Sequence, residues 1–207
     1  MTARFISFEG TEGVGKTTAI TQLCEYLQQQ GQTFIRTREP GGSVFAEKLR
    51  ELLLAPESQI DDDTELLLMF AARCDHINTV ILPALEAGKW VICDRFIDSS
   101  IAYQGFGRGY GEKKTLSKIQ SLITQFVPKL PDCTLWLDLP VAEGMQRAAK
   151  RSTADRFEQE AVAFFNRVHQ GYDHQWQHYP ERIQRIDASG DVQSVTNRVI
   201  AAISAIS

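Results

Sequence analysis

The stretch Phe5-Ile6-Ser7-Phe8-Glu9-Gly10-Thr11-Glu12-Gly13-Val14-Gly15-Lys16-Thr17-Thr18 constrains this chain more than any other. It opens as an apolar run, crosses a glycine-rich loop and continues as an amphipathic pattern. Residues 10–17 fit G-x-x-x-x-G-K-[ST], the phosphate loop. Glycines let the main chain turn tightly and bring N–H groups against phosphate oxygens. Lys16 supplies a compact charge for the outer phosphates, and the Thr17 hydroxyl suits Mg²⁺. Gly10, Thr11, Glu12, Gly13, Val14, Gly15, Lys16, Thr17 and Thr18 are therefore the expected phosphate cradle, with the positive end of the next helix aimed at the same anion. Ile20, Leu23, Cys24 and Leu27 share one face of that helix. The match alone should arise by chance in about one chain of this length in a hundred; a strand before it and a helix after it are what the motif requires.

Thr33-Phe34-Ile35-Arg36-Thr37, Trp90-Val91-Ile92-Cys93-Asp94, Thr134-Leu135-Trp136-Leu137-Asp138 and Arg182-Ile183-Gln184-Arg185-Ile186 read as four more strands. Helices are expected over 44–54, with Phe45, Leu49, Leu52 and Leu53 on the buried side, and from the acidic start at 61–64 to about 85, kinked at Pro83. Others are expected over 116–126, 141–151, 158–176 and 192–206. A polar, glycine-rich stretch without an assigned element follows Asp94 as far as Gly111. Strands alternating with helices predict the α/β class, a five-stranded parallel sheet flanked by helices, as one domain over 1–207. Ligands should gather outside the carboxyl ends of the strands. That rule draws together residues 10–18, 38–42, 94–103 and the run 147–156.

Composition limits what such a site serves. The net charge of −4 among 207 residues argues against a general nucleic-acid binder, and the 43% hydrophobic and 23% charged content is ordinary for a globular protein. No apolar run of ~18 residues predicts a membrane span. The amino terminus enters the first strand at once, which leaves no room for a signal peptide. Cys24, Cys74, Cys93 and Cys133 are widely spaced, as expected of reduced thiols in the cytoplasm.

Charges at strand ends need a use. Arg38 and Arg50 after the second strand, and Arg95 after the third, could hold a second phosphoryl group facing the loop, since a guanidinium fork suits phosphate. The plain alternative is surface pairing with Glu39, Glu47 and Asp98. Asp94 could hold Mg²⁺ through water or orient Arg95. The cationic run Arg147-Ala148-Ala149-Lys150-Arg151-Ser152-Thr153-Ala154-Asp155-Arg156 could close over the transferring group as a lid, or be a solvated helix end. Two facing phosphate sites point to phosphoryl transfer between nucleotides. The acceptor is then a phosphate oxygen, already ionised, so no general base is required.

At this point the chain resembles the thymidylate kinase family of nucleoside monophosphate kinases, from its start to its last helix. The resemblance rests on the loop string, on Thr37-Arg38-Glu39-Pro40-Gly41-Gly42, on Phe70-Ala71-Ala72-Arg73, and on Asp94-Arg95-Phe96-Ile97-Asp98-Ser99-Ser100-Ile101-Ala102-Tyr103-Gln104-Gly105. It implies transfer of the γ-phosphoryl group of ATP to dTMP, with Mg²⁺ on Thr17 and Asp94. It implies that Arg38, Arg50 and Arg95 surround the dTMP phosphate, with Ser99 beside them. Glu12 would reach the 3′-hydroxyl, Arg73 the thymine, Tyr103 the sugar, and Gln104 would lie at the base. Gly13 after Glu12 looks like the bacterial subtype, in which the lid supplies the catalytic arginine; Arg151 matches best, with Arg147 nearer the ATP base. Lys16, Arg95 and Arg151 would then be the catalytic set. The aromatic that stacks on thymine in many relatives corresponds to Met69, while Phe70 lies one position on; Phe70 is taken as the base contact. Members are similar in forming homodimers, often through the helix that carries residues 66–82 here. Two other readings are a kinase for a different monophosphate and a phosphate-loop switch. The switch needs a base-reading motif such as N-K-x-D, which the sequence lacks.

Overall fold

The computed structural model describes residues 3–149, 156–158 and 160–206. Five strands, β1 (Phe5–Glu9), β2 (Phe34–Arg38), β3 (Trp90–Asp94), β4 (Cys133–Asp138) and β5 (Ile183–Asp187), form one sheet in the order β2-β3-β1-β4-β5, every pair parallel. The strand sequences explain their places. β1, β3 and β4 are almost continuously apolar and are buried along nearly their whole length, while β2 and β5 are edge strands with residues of intermediate or full exposure. β1 pairs with β3 on one side and β4 on the other, so the order in which strands are added to the sheet reverses at β1. The glycine loop leaves the sheet at that switch point, where α/β sheets bind ligands.

Helices α1 (Lys16–Gln29), α2 (Val44–Leu54), α3 (Asp62–His76), α4 (Leu82–Glu86), α5 (Ile97–Ser100), α6 (Lys113–Phe126), α7 (Val141–Ala148), α8 (Val162–His178) and α9 (Val192–Ser204) surround the sheet. Ile20, Leu23 and Leu27 of α1 meet Val199 and Ile203 of α9 over one face. Phe70 of α3 joins Ile119 and Ile123 of α6 over the other. Aromatic residues of α8, Phe164, Phe165 and Tyr172, pack with Trp136 of β4 in a third cluster. A π-helical turn, Ile77–Ile81, links α3 to α4 ahead of Pro83. The continuous stretch Asp62–Glu86 is long and apolar enough to cross a membrane by composition. Here it is a core helix: Glu65, Arg73 and His76 are buried within it and hydrogen-bonded to neighbouring elements.

Two expectations need correction. The glycine-rich stretch after Asp94 is helical: α5 runs directly into a π-helix, Ile101–Arg108. Gly105, Gly107 and Gly109 read as breakers but serve as contact points. A Cβ on Gly107 would stand 2.7 Å from the Phe164 ring, so its absence lets α8 lie against the π-helix. On α2, Leu53 faces inward as expected and Ala46 joins it, but Phe45 and Leu52 are exposed.

Asp98, at the base of this unforeseen helix, ties three elements together. Its carboxylate accepts from both terminal nitrogens of Arg182 at 2.7 and 2.8 Å, from Gln175 Nε2 at 2.9 Å and from Thr134 Oγ1 at 3.3 Å. Removing one partner of a buried pair strands the other charge. Asp98→Ala should therefore cost about 3–5 kcal/mol, seen as a lower urea midpoint with an unchanged slope.

Candidate active site

Gly15 precedes α1 in a left-handed conformation and offers no side-chain cap, so the first N–H groups of the helix stay available to an anion. By contrast α2, α3 and α9 are capped by Ser43, Asp61 and Asp191. Lys16 Nζ folds over the loop and donates to the carbonyls of Gly10 and Thr11 at 3.0 and 3.1 Å. Desolvation, and then the positive Arg95, lower its pKa to about 8. The loop also touches the start of the cationic segment. A Cβ on Gly13 would lie 1.8 Å from the Gly144 carbonyl oxygen, and a Cβ on Gly144 would lie 2.5 Å from the Glu12 carbonyl oxygen. Loop and α7 thus meet main chain to main chain.

Arg95 reaches the loop from the other side. Its backbone is left-handed, φ 69°, a costly conformation outside glycine that the surroundings must hold. Nη1 donates to Gly10 O at 3.0 Å, to Tyr172 OH at 2.9 Å and to Ser99 Oγ at 3.3 Å, and Nη2 to Glu12 Oε1 at 2.8 Å. Lys16 and Arg95 therefore donate to the same carbonyl, Gly10 O. Tyr103 OH donates to the Glu12 carboxylate at 2.7 Å, and the Arg95 guanidinium sits 4.8 Å above the Tyr103 ring.

Glu12, Arg95 and Tyr103 open onto a cleft lined also by Arg50, Met69, Arg73, Ser99, Gln104 and Phe157. Arg73 is buried and donates to Glu39 at 2.7 Å, to Ser100 at 2.9 Å and to the Phe96 carbonyl at 3.1 Å. Arg50 donates to the Pro40 carbonyl at 2.7 Å. The structure does not bring Arg38 here. Arg38 lines a neighbouring cleft with Thr17 and Asp94 and pairs with Glu47 at 2.8 Å, the partner that the plain alternative named. Phe70 is absent from the wall as well. Three residues before Arg73 on α3 it turns into the core, 4.8 Å under the guanidinium, while Met69 lines the cleft.

Asp94 Oδ1 is buried without a hydrogen-bond partner among the described residues, in the cleft that Thr17 shares. A cation is what such an acceptor lacks. Among the described residues no group of three or more His, Cys, Asp or Glu converges to hold a metal. Mg²⁺ at this place fits only as an ion sharing its ligands with phosphate and water, the usual arrangement for it. A third cleft, lined by Gly13, Gly15, Thr18 and Arg147, is closed by Ala188, Gly190 and Asp191 of the β5–α9 loop and by Val192 at the start of α9, which the sequence did not flag. Arg147 pairs with Glu143. Arg151 lies outside the described residues. Arg156 turns inward, donating to Leu53 O at 2.9 Å and to Glu65 at 2.5 Å.

The thymidylate kinase family model matches residues 8–199. The chain belongs to the thymidylate kinase family. It is 68% identical over 201 residues to a thymidylate kinase of Psychrobacter sp. (strain PRwf-1), covering 97% of each chain. It is 48% identical over 198 residues to a thymidylate kinase of Acinetobacter baumannii (strain SDF), covering 95% of this chain and 98% of that one. The crystal structure of thymidylate kinase from Ehrlichia chaffeensis superposes with a TM-score of 0.80 at 33% identity, covering 99% of this chain and 100% of that chain. The parallel five-stranded kinase fold expected from the sequence, and ATP-dependent phosphorylation of dTMP, are those of the thymidylate kinase family.

Two members of the site gave no sequence signal. Glu9 is fully buried behind Arg95 and accepts from Phe96 N at 2.7 Å, Ser99 Oγ at 2.6 Å and Tyr172 OH at 2.9 Å. Tyr172 arrives from α8, far along the chain. Burial, reinforced by Asp98, pushes the Glu9 carboxyl up from 4.5 to about 7. The folded protein then keeps a proton that the unfolded chain releases. Stability from this source is full below pH 4.5 and is lost as pH rises through 7. Measured as unfolding free energy against pH, Glu9→Gln should lack that decline. The two proteins should diverge by roughly 3 kcal/mol between the ends of the window.

Proposed function

We propose that this protein joins ATP and dTMP end to end at Gly10 and moves the γ-phosphoryl group between them. The convergence of Lys16 and Arg95 on one carbonyl oxygen carries the reading. Each cation would exchange that carbonyl for a phosphate, Lys16 on the donor and Arg95 on the acceptor. The two anions would then meet where their repulsion is cancelled. Gly10 to Thr18 would cradle the triphosphate, and Arg147 with the β5–α9 loop would border the adenine. Glu12 and Tyr103, already bonded to one another, would take the sugar. Arg73, Met69 and Gln104 would face the thymine, with Ser99 and Arg50 toward the phosphate. Arg38 would join the acceptor phosphate by releasing Glu47, since a pair this exposed is worth at most about 1 kcal/mol.

Thr17 and Asp94 would hold Mg²⁺, directly or through water; bound there, the ion would draw charge from the phosphate oxygens. Arg151 would neutralise the transferring group from a lid at about 147–156, the chain acting as one kinase domain. Phe45 and Leu52 of α2 and Leu67 of α3, helices that pack together, are exposed apolar side chains that would make one face. We assign that face to a second copy of the chain, giving a homodimer. Its four cysteines are free, as a reducing cytoplasm would keep them.

Phosphate transfer from ATP to a panel of monophosphates tests the assignment. dTMP should be the preferred acceptor, and an equal rate with AMP, GMP or CMP overturns it. Arg151→Ala should lower kcat while leaving dTMP affinity near normal, because a lid cation acts on developing charge. For the dimer, Leu67→Glu should halve the mass observed in equilibrium sedimentation.

A further inference from the structure

Glu65 stands outside the machinery just described, in the first turn of α3, and is almost wholly buried. An acid near a helix start is favourable in itself, but it does not need to be buried for that. Its oxygens divide their partners. Oε2 accepts from Arg156 Nη2 at 2.5 Å and lies 3.4 Å from Arg108 Nη2. Oε1 accepts from Gln104 Nε2 at 2.8 Å. Gln104 is buried too, and it lines the acceptor cleft.

The two ends of a glutamine amide look alike in shape, so neighbours must decide which way it faces. Here they do. A carboxylate paired with two guanidiniums offers acceptors only, so the NH₂ end must face Glu65. Gln104 Oε1 accepts no side-chain hydrogen bond among the described residues and is the polar atom left for whatever fills the cleft. An acceptor without a protein donor, at the wall of a cleft, reads a donor on the ligand. The N3–H of thymine or uracil supplies one, whereas N3 of cytosine is itself an acceptor and would leave two buried acceptors face to face.

We propose that Glu65 is a specificity-determining positioning residue. By fixing the sense of the Gln104 amide it makes the cleft accept pyrimidines that carry N3–H and refuse cytosine. Arg156 and Arg108 hold the carboxylate in place from the far side. The proposal rests on the placement of the base beside Gln104 given above, and it deepens that reading by naming what the base must donate.

Glu65→Gln keeps the size of the side chain and removes the obligation. Two amides then face one another, either can donate, and the Gln104 side chain is free to turn. The readout is kcat/KM for dTMP, dUMP and dCMP with ATP. The expected result is a fall in the dTMP-to-dCMP ratio of roughly tenfold to hundredfold, mostly in KM, with the dTMP-to-dUMP ratio unchanged because both bases carry N3–H. A structural role alone would lower all three together. An unchanged dTMP-to-dCMP ratio overturns the proposal. Failure of the unaltered protein to phosphorylate dTMP would instead overturn the functional reading beneath it. Should Glu65→Gln not fold, the unaltered protein gives the answer by NMR. The Gln104 side-chain NH₂ protons should exchange slowly with water both free and with dTMP bound. Fast exchange, or protection gained only with dTMP, would show the amide facing the other way and defeat the proposal.

Discussion

One carbonyl oxygen organises this molecule. Gly10 O receives Lys16 from the glycine loop and Arg95 from the end of the neighbouring strand. Two like charges converge on a neutral dipole, a partner that each can exchange for an anion. Desolvation and the nearness of Arg95 both lower the Lys16 pKa, the electrostatic trace of that arrangement. The sheet exists, in this sense, to hold two strand ends side by side. Phe8 of β1 pairs with Asp94 of β3, and the two cation-bearing segments leave from adjacent positions.

Holding Arg95 there takes a second layer. Its left-handed backbone is supported because Glu9 accepts from Phe96 N just after it, and because Tyr172 and Ser99 accept from the guanidinium while donating to Glu9. The chain places a buried carboxyl beneath a cation without letting the two touch directly. The direct ion pair of the guanidinium is instead with Glu12 of the loop, at 2.8 Å. Bridging hydroxyls orient it and leave its outer edge toward the cleft.

How much of this could be read from the sequence depended on range. The loop, the strands and the cation-bearing strand ends are local patterns, and the structure has them where the residues implied. The π-helix over Ile101–Arg108 was not legible, because its glycines look like breakers until α8 lies against them. Phe45 and Leu52 were assigned inward from periodicity alone, which cannot tell a core face from a face that waits for a partner. Met69 and Phe70 differ by a single residue on α3, and only the docked helix shows which one meets the cleft. Glu9, Glu65 and Tyr172 act through side chains distant in sequence, and a carboxylate in a list of carboxylates carries no mark of burial.

The seam between Gly13 and Gly144 has a pharmacological side. There the loop and α7 touch through backbone alone, with no room for even a methyl group. A compound lodged against that seam would grip peptide atoms, whose identity no codon change can alter. A substitution that adds a side chain at the seam itself would push the cradle and α7 apart.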